Sequence, residues 1–178
     1  NHHVKHVIGF GKNKKTLETA KQLNLVHYIS DDYTDIQDAD LVIIATPVRQ
    51  IDKVLNQIKP HLSEKTIITD VGSTKYNVLT KAKSILGEHF KNFIGSHPIA
   101  GSEKHGPEAA QESLFHDKNI IVTTHDQNND KEINVIKSFW HLLKGKVIIM
   151  DAQQHDEIFS TVSHLPHALA MIFMNMIF

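Results

Sequence analysis

Leu41-Val42-Ile43-Ile44-Ala45 is an unbroken apolar run, rich in β-branched side chains. It is too short for a helix, so it reads as a strand buried on both faces. Such a strand needs a layer of structure on each side, and the rest of the chain supplies the pattern. Pro47 suits the first turn of a helix, and Val48, Ile51, Val54, Leu55 and Ile58 then mark one apolar helix face before Pro60 stops it. The alternation recurs. Strands are expected at Val7–Phe10, Val26–Ile29, Thr66–Thr69, Phe93–Gly95, Ile120–Val122 and Val147–Met150. Helices are expected over Thr16–Leu23, Lys75–Leu86, Pro107–Leu114 and Asp130–Leu143, with a helical turn or two at Asp35–Ala39. Gly87 is placed to end the second of these helices. Strand and helix alternating at about 20 to 30 residues per unit is the signature of an α/β fold with a mostly parallel sheet and helices on both faces. From Asp151 the pattern is helical to the end, which predicts an α/β domain over residues 1–150 and the start of an all-helical domain over 151–178.

Composition narrows the function classes. Apolar residues make up 40% and charged residues 22% of the 178, ordinary for a soluble globular protein. The formal charge is -1, so nothing in the bulk electrostatics draws the chain to nucleic acid or an anionic membrane. The apolar stretch from Ala168 to Phe178 is too short to span a bilayer. Cysteine is absent, which removes disulfides, thiolate zinc sites and a cysteine nucleophile and is compatible with a cytoplasmic protein. Arg49 is the one arginine among nineteen Lys and Arg, so a bidentate carboxylate or phosphate clamp uses Arg49 or comes from outside this chain. The chain opens at Asn1 and closes inside the run Met174-Asn175-Met176-Ile177-Phe178. Both ends read as those of a fragment.

The chemistry sits where the expected strands end, since ligands of open α/β sheets bind outside the carboxyl ends of strands. Gly9-Phe10-Gly11 follows a strand, but a G-x-G-x-x-G fingerprint would need glycine where Lys14 stands. This strand is better read as the second of a dinucleotide-binding unit, whose following turn faces the adenosine ribose. That turn, Gly11-Lys12-Asn13-Lys14-Lys15, has three cations and no acid. It tolerates or favours a 2′-phosphate, or else carries ordinary solvated lysines. Ala45-Thr46-Pro47-Val48 ends the strongest strand, and Asp70-Val71-Gly72-Ser73-Thr74-Lys75 ends the next. The cofactor-binding positions expected from these ends are Gly11, Lys12, Asn13, Ala45, Thr46, Pro47, Val48, Asp70 and Gly72. Ser73 or Thr74 as a plain N-cap accounts for one hydroxyl but not for the whole string. His97 lies in the small-residue loop Gly95-Ser96-His97-Pro98-Ile99-Ala100-Gly101-Ser102 and is well placed for proton chemistry. His155-Asp156 and Ser163-His164-Leu165-Pro166-His167 follow. His164 and His167 share a helical face, but no H-E-x-x-H occurs and Pro166 intervenes, so no metal is expected.

Together these strings resemble the prephenate/arogenate dehydrogenase family of tyrosine biosynthesis, in order and spacing, over nearly the whole chain. The resemblance implies an oxidoreductase that transfers a hydride from prephenate or arogenate to NAD or NADP, with loss of the ring carboxylate as carbon dioxide. It implies His97 as the proton-handling residue and Ser73 as its orienting partner. It also implies a substrate-facing set of Ser96, Ser102, Glu103, His155, His164 and His167. A Gly-rich loop before Asn1 and a helical dimerisation domain continuing past Phe178 belong to the same pattern, and so does a homodimer. Another Rossmann-type hydroxyacid dehydrogenase with a helical second domain, and a regulatory relative without catalysis, are the alternatives. The first does not account for Ser-His-Leu-Pro-His beside the histidine loop. The second does not account for Ser73 with His97.

Overall fold

The computed structural model describes residues 4–101 and 105–161. In chain order the elements are β1 (Ile8–Gly9), α1 (Lys14–Gln22), β2 (Tyr28–Ile29), β3 (Leu41–Ile44), α2 (Ile51–Ile58), β4 (Ile67–Asp70), α3 (Tyr76–Leu86), β5 (Phe93–Pro98), β6 (Asn119–Thr123), α4 (Asp130–Leu142), β7 (Lys146–Met150) and α5 (Ala152–Phe159). Strands β3 to β7 form one sheet in sequence order, and β1 with β2 forms a second, two-stranded sheet. All pairs are parallel except β5–β6, which is antiparallel. The expected mostly parallel α/β architecture is the one observed.

Strand alternation decides what covers each face. Ile44, Ile68 and Phe93 point to one side and pack with Ile51, Leu55 and Ile58 of α2 and Val78, Ala82 and Leu86 of α3. Ile67, Ile94, Ile120 and Val122 point to the other side and pack with Ile136 and Trp140 of α4. Each buried Val, Leu, Ile or Phe among them contributes about 1.5–3 kcal/mol relative to leaving it exposed. The small sheet shares the first core. Phe10, just after β1, stacks on Tyr33 with ring centroids 5.6 Å apart, and both rings pack on that cluster. Among the described residues β1 pairs only with β2 and β3 only with β4, so each keeps an open edge. Ile8 and Ile43 are correspondingly exposed, at 38% and 41%.

Local chemistry sets the boundaries. Asn13 caps α1, its side-chain oxygen accepting from the Thr16 amide at 3.1 Å. Asp151 caps α5 by accepting from the Gln153 and Gln154 amides. Gly87 ends α3 with φ at 60°, a left-handed backbone that glycine adopts without penalty. Several expectations shift. Pro47 leads into a 3-10 turn at Val48–Gln50 before α2 begins. The expected helix at Pro107–Leu114 is a short 3-10 turn, Pro107–Ala109. β5 extends to Pro98, because Ser96, His97 and Pro98 pair with Val122, Ile121 and Ile120 of β6. His97 therefore stands on a strand rather than in a loop. No helix among the described residues is long and apolar enough to cross a membrane.

Candidate active site

Three adjacent parallel strands, β3, β4 and β5, deliver their carboxyl ends side by side, with Ile44 opposite Asp70 and Asp70 opposite Gly95. Thr46 and Gly72 lie just beyond the ends of β3 and β4, and His97 stands in the last residues of β5, two past Gly95. The turn after β4 is built on a buried ion pair. Asp70 and Lys75 are both completely buried, and Lys75 Nζ donates to Asp70 Oδ2 and to the Ser96 carbonyl at 2.7 Å. The Gly72 amide donates to the same carboxylate at 2.8 Å. Burial pushes the Asp70 carboxyl up and the Lys75 ammonium down; each charge is tolerated because the other is there. Gly72 has no room for a side chain: a Cβ would come within 2.9 Å of both Asp70 Oδ2 and Val48 Cγ2. Asp70, expected to bind cofactor, is instead the buried support of the turn. Ser73 is exposed on that turn.

Gly95 makes the space that Lys75 fills. A Cβ there would collide with Thr123 Oγ1 and approach Lys75 Cδ to 3.3 Å. Gly95→Ala is expected to lower stability by about 1–3 kcal/mol, the usual cost of overpacking a tight core, measured as a fall in denaturation midpoint. An unchanged midpoint would show that the Thr123 hydroxyl and Lys75 move aside freely.

Neighbours on a strand face opposite ways, and Ser96 and His97 divide accordingly. Ser96 is completely buried; its hydroxyl pairs with Thr69 Oγ1 at 2.9 Å and accepts from Trp140 Nε1 at 3.0 Å. It serves the core on the α4 side, so its expected contact with substrate gives way. His97 is half-buried on the other side. Its Nδ1 lies 2.8 Å from Nε2 of His155, and His155 Nδ1 lies 2.7 Å from Asp156 Oδ1. The bond that orients the His97 ring at Nδ1 thus comes from His155. His155 itself is wholly buried, stacked on Phe159 with centroids 4.6 Å apart, so its expected direct contact with a substrate gives way. Asp156, which the sequence reading gave no role, accepts from the Lys75 and Tyr76 amides at the start of α3. Its position next to His155 was the one available signal.

The turns after β3 and β4, beside this group, are where ligands of open α/β sheets bind. Thr46 Oγ1 is buried with no hydrogen-bond partner among the described residues, a polar atom left for a ligand at the end of β3. Ala45, Pro47 and Val48 flank it, and Gly72 brings backbone close. Lys12 Nζ donates to Gln50 Oε1 at 3.0 Å. That bond ties the exposed Gly11–Lys12–Asn13 turn to the turn following β3. Asn13 also serves as the α1 cap. Ser102, Glu103, His164 and His167 lie outside the described residues.

Comparison with known proteins agrees with this geometry. The family model described as prephenate dehydrogenase, nucleotide-binding domain, matches residues 1–149. The chain is 33% identical to the cyclohexadienyl dehydrogenase of Zymomonas mobilis over 169 residues, which are 94% of this chain and 57% of that protein. It is 35% identical to the prephenate dehydrogenase of Bacillus subtilis over 175 residues, 96% of this chain and 46% of that protein. Among solved structures, the Aquifex aeolicus prephenate dehydrogenase in complex with hydroxyphenyl propionate and NAD+ superposes with a TM-score of 0.91 at 31% identity. That match covers 98% of this chain and 60% of the other. Synechocystis arogenate dehydrogenase gives 0.86 at 28% identity, over 96% of this chain and 60% of the other. The chain spans about half the length of the curated relatives it matches. With its motifs, its strand-end groups and this match in accord, the chain belongs to the prephenate dehydrogenase family and carries that family's nucleotide-binding domain.

Proposed function

We propose that the full-length protein is a prephenate or arogenate dehydrogenase. It oxidatively decarboxylates prephenate to 4-hydroxyphenylpyruvate, or arogenate to tyrosine. The observation that carries this reading is the placement of His97 in the last residues of β5, beside the Gly72 turn and the unpartnered Thr46 hydroxyl at the ends of the two neighbouring parallel strands. A bound nicotinamide supplies the hydride acceptor. His97 accepts the proton of the 4-hydroxyl as the hydride leaves the same ring carbon. The ring carboxylate departs as carbon dioxide, its electrons completing the aromatic ring and returning to the 4-oxygen, which takes the proton back from His97. Ser73, exposed on the turn before α3, is assigned to the substrate side, with Ser102, Glu103, His164 and His167. Gly11, Lys12, Asn13, Ala45, Thr46, Pro47, Val48 and Gly72 are assigned to the cofactor side.

The open edges of β1 and β3 support a further parallel strand between them, carrying the Gly-rich phosphate loop that this chain does not contain. A helical unit beginning near residue 151, a homodimer formed through it, and a cytoplasmic location complete the proposal. The test is steady-state kinetics of the full-length protein with prephenate, arogenate and simple 2-hydroxyacids. Turnover of prephenate or arogenate is expected. Turnover of simple hydroxyacids alone would overturn the reading.

Cofactor choice follows from the turn after β1. Gly11 stands where an acid would repel a 2′-phosphate, and Lys12, Lys14 and Lys15 are all exposed there. NADP is expected to be accepted at least as well as NAD. The measurement is the ratio of kcat/KM for the two. A preference for NAD above about a hundredfold, roughly 2.7 kcal/mol, would show that the lysines face away from the ribose.

A further inference from the structure

His97, His155 and Asp156 lie in line from the sheet to the start of α3, and the direction of each proton along that line can be worked out from its far end. Asp156 Oδ1 accepts from the Lys75 amide at 2.8 Å, and Oδ2 accepts from the Tyr76 amide at 3.0 Å. Burial opposes the charge on Asp156, but the Lys75 amide, the His155 ring and the Tyr76 amide outweigh it and hold the carboxyl below its ordinary range. An ionised carboxylate only accepts. The 2.7 Å contact with His155 Nδ1 therefore needs the proton on that nitrogen. Neutral His155 then presents a lone pair at Nε2. The His97 Nδ1 that faces it at 2.8 Å must carry a proton, which leaves the His97 lone pair on Nε2.

We propose that His155 and Asp156 are positioning residues that hold His97 as the Nδ1–H tautomer and share the charge it gains on accepting a proton. This rests on His97 being the proton acceptor of the proposed reaction. The substrate O–H bond breaks and an N–H bond forms at His97 Nε2. The Nδ1 proton can then pass to His155 Nε2, which leaves the cation beside the Asp156 carboxylate. No electrons leave the rings. Among the described residues, the charged groups packed around the line are Asp156 from α5 and the mutually paired Asp70 and Lys75 from the β4–α3 turn. A plainer role exists for Asp156 alone. α3 has no side-chain cap from its own N-cap residue Lys75, and the two amide bonds supply one. Capping does not account for a wholly buried imidazole between that carboxylate and His97, because burying a polar ring is costly unless it is paired. The line also makes α5, the first helix after β7, a determinant of the protonation state of a residue on the sheet.

The test uses the full-length protein. His155→Phe keeps a ring against Phe159 but removes the acceptor. It is expected to lower kcat by about tenfold to a hundredfold, part of what a general base contributes, with little change in KM. His155→Gln, whose amide oxygen can accept from His97 Nδ1, is expected to recover part of that loss. Asp156→Asn removes the negative charge, so the relay holds its proton less tightly and the acid limb of the pH–rate profile moves to lower pH. NMR of the imidazole nitrogens should show His97 protonated at Nδ1 in the wild type and tautomer mixing in His155→Phe. If His155→Phe does not fold, His155→Gln and Asp156→Asn carry the test by the same readouts. A wild-type His97 protonated at Nε2 would overturn the proposal, as would variants with unchanged kcat and an unmoved acid limb. Absence of any prephenate or arogenate turnover by the wild type would instead refute the functional reading, while the NMR result would still judge the tautomer.

Discussion

His97→Asn in the full-length protein is expected to lower kcat by about 10² to 10⁴, the usual worth of general acid–base catalysis, while KM for substrate changes little. Asparagine stays polar and fits the space, but it cannot take up a proton at neutral pH. Loss of an interaction made only in the transition state appears in kcat, whereas loss of uniform binding appears in KM. A packing role for His97 predicts the reverse: a lower melting temperature with normal turnover per folded molecule. Its half-buried position and its aromatic contact with Phe159, centroids 5.2 Å apart, make that alternative concrete. Kinetics and a melting curve on one sample separate the two. A variant that kept most of its kcat would move the proton-accepting role to His164 or His167.

Lys75→Met is expected to cost about 3–5 kcal/mol of stability, because it leaves the Asp70 carboxylate buried without its counter-charge. The pair lies under the turn that holds Gly72 and Ser73, and Lys75 Nζ also holds the Ser96 carbonyl, so the loss also loosens the site. Adding Asp70→Asn should recover a large part of the cost, since no buried charge then remains while the amide oxygen still accepts from Gly72. The check is the denaturation midpoint of both single variants and the double. Additive losses would contradict the coupling, and a single-variant loss under about 1 kcal/mol would place the pair among exposed ones in its energetics.

Much of this was legible in the residues, and the misses have physical causes. β3 and β4 fell where expected because short apolar runs rich in β-branched residues, Leu41–Ile44 and Ile67–Ile68, favour strands; β3 is not buried on both faces as expected, because it keeps an open edge where Ile43 is 41% exposed. β5 was expected to stop at Gly95. Its last residues are held by antiparallel pairing with β6, some twenty-five residues away in sequence, which no local pattern encodes. That one error carried another. With His97 in a loop, Ser96 and His97 looked like neighbours in one site; on a strand they face opposite sides, and the Ser96 hydroxyl belongs to Thr69 and Trp140. Asp70 was expected at the cofactor because it ends a strand. The lysine five residues on was the sign that its charge was already spoken for. The His155-Asp156 pair was visible as a dipeptide, but only the packing of α5 on the β4–α3 turn shows that it reaches His97.

The proposed reaction removes both a hydride and a carboxylate at one site, and product stoichiometry tests it directly. Full-length protein should be mixed with prephenate and limiting NAD or NADP, and reduced nicotinamide and carbon dioxide counted together. The account predicts equal amounts of the two, with 4-hydroxyphenylpyruvate as the organic product. Reduced nicotinamide formed without carbon dioxide would identify a simple dehydrogenase and contradict it.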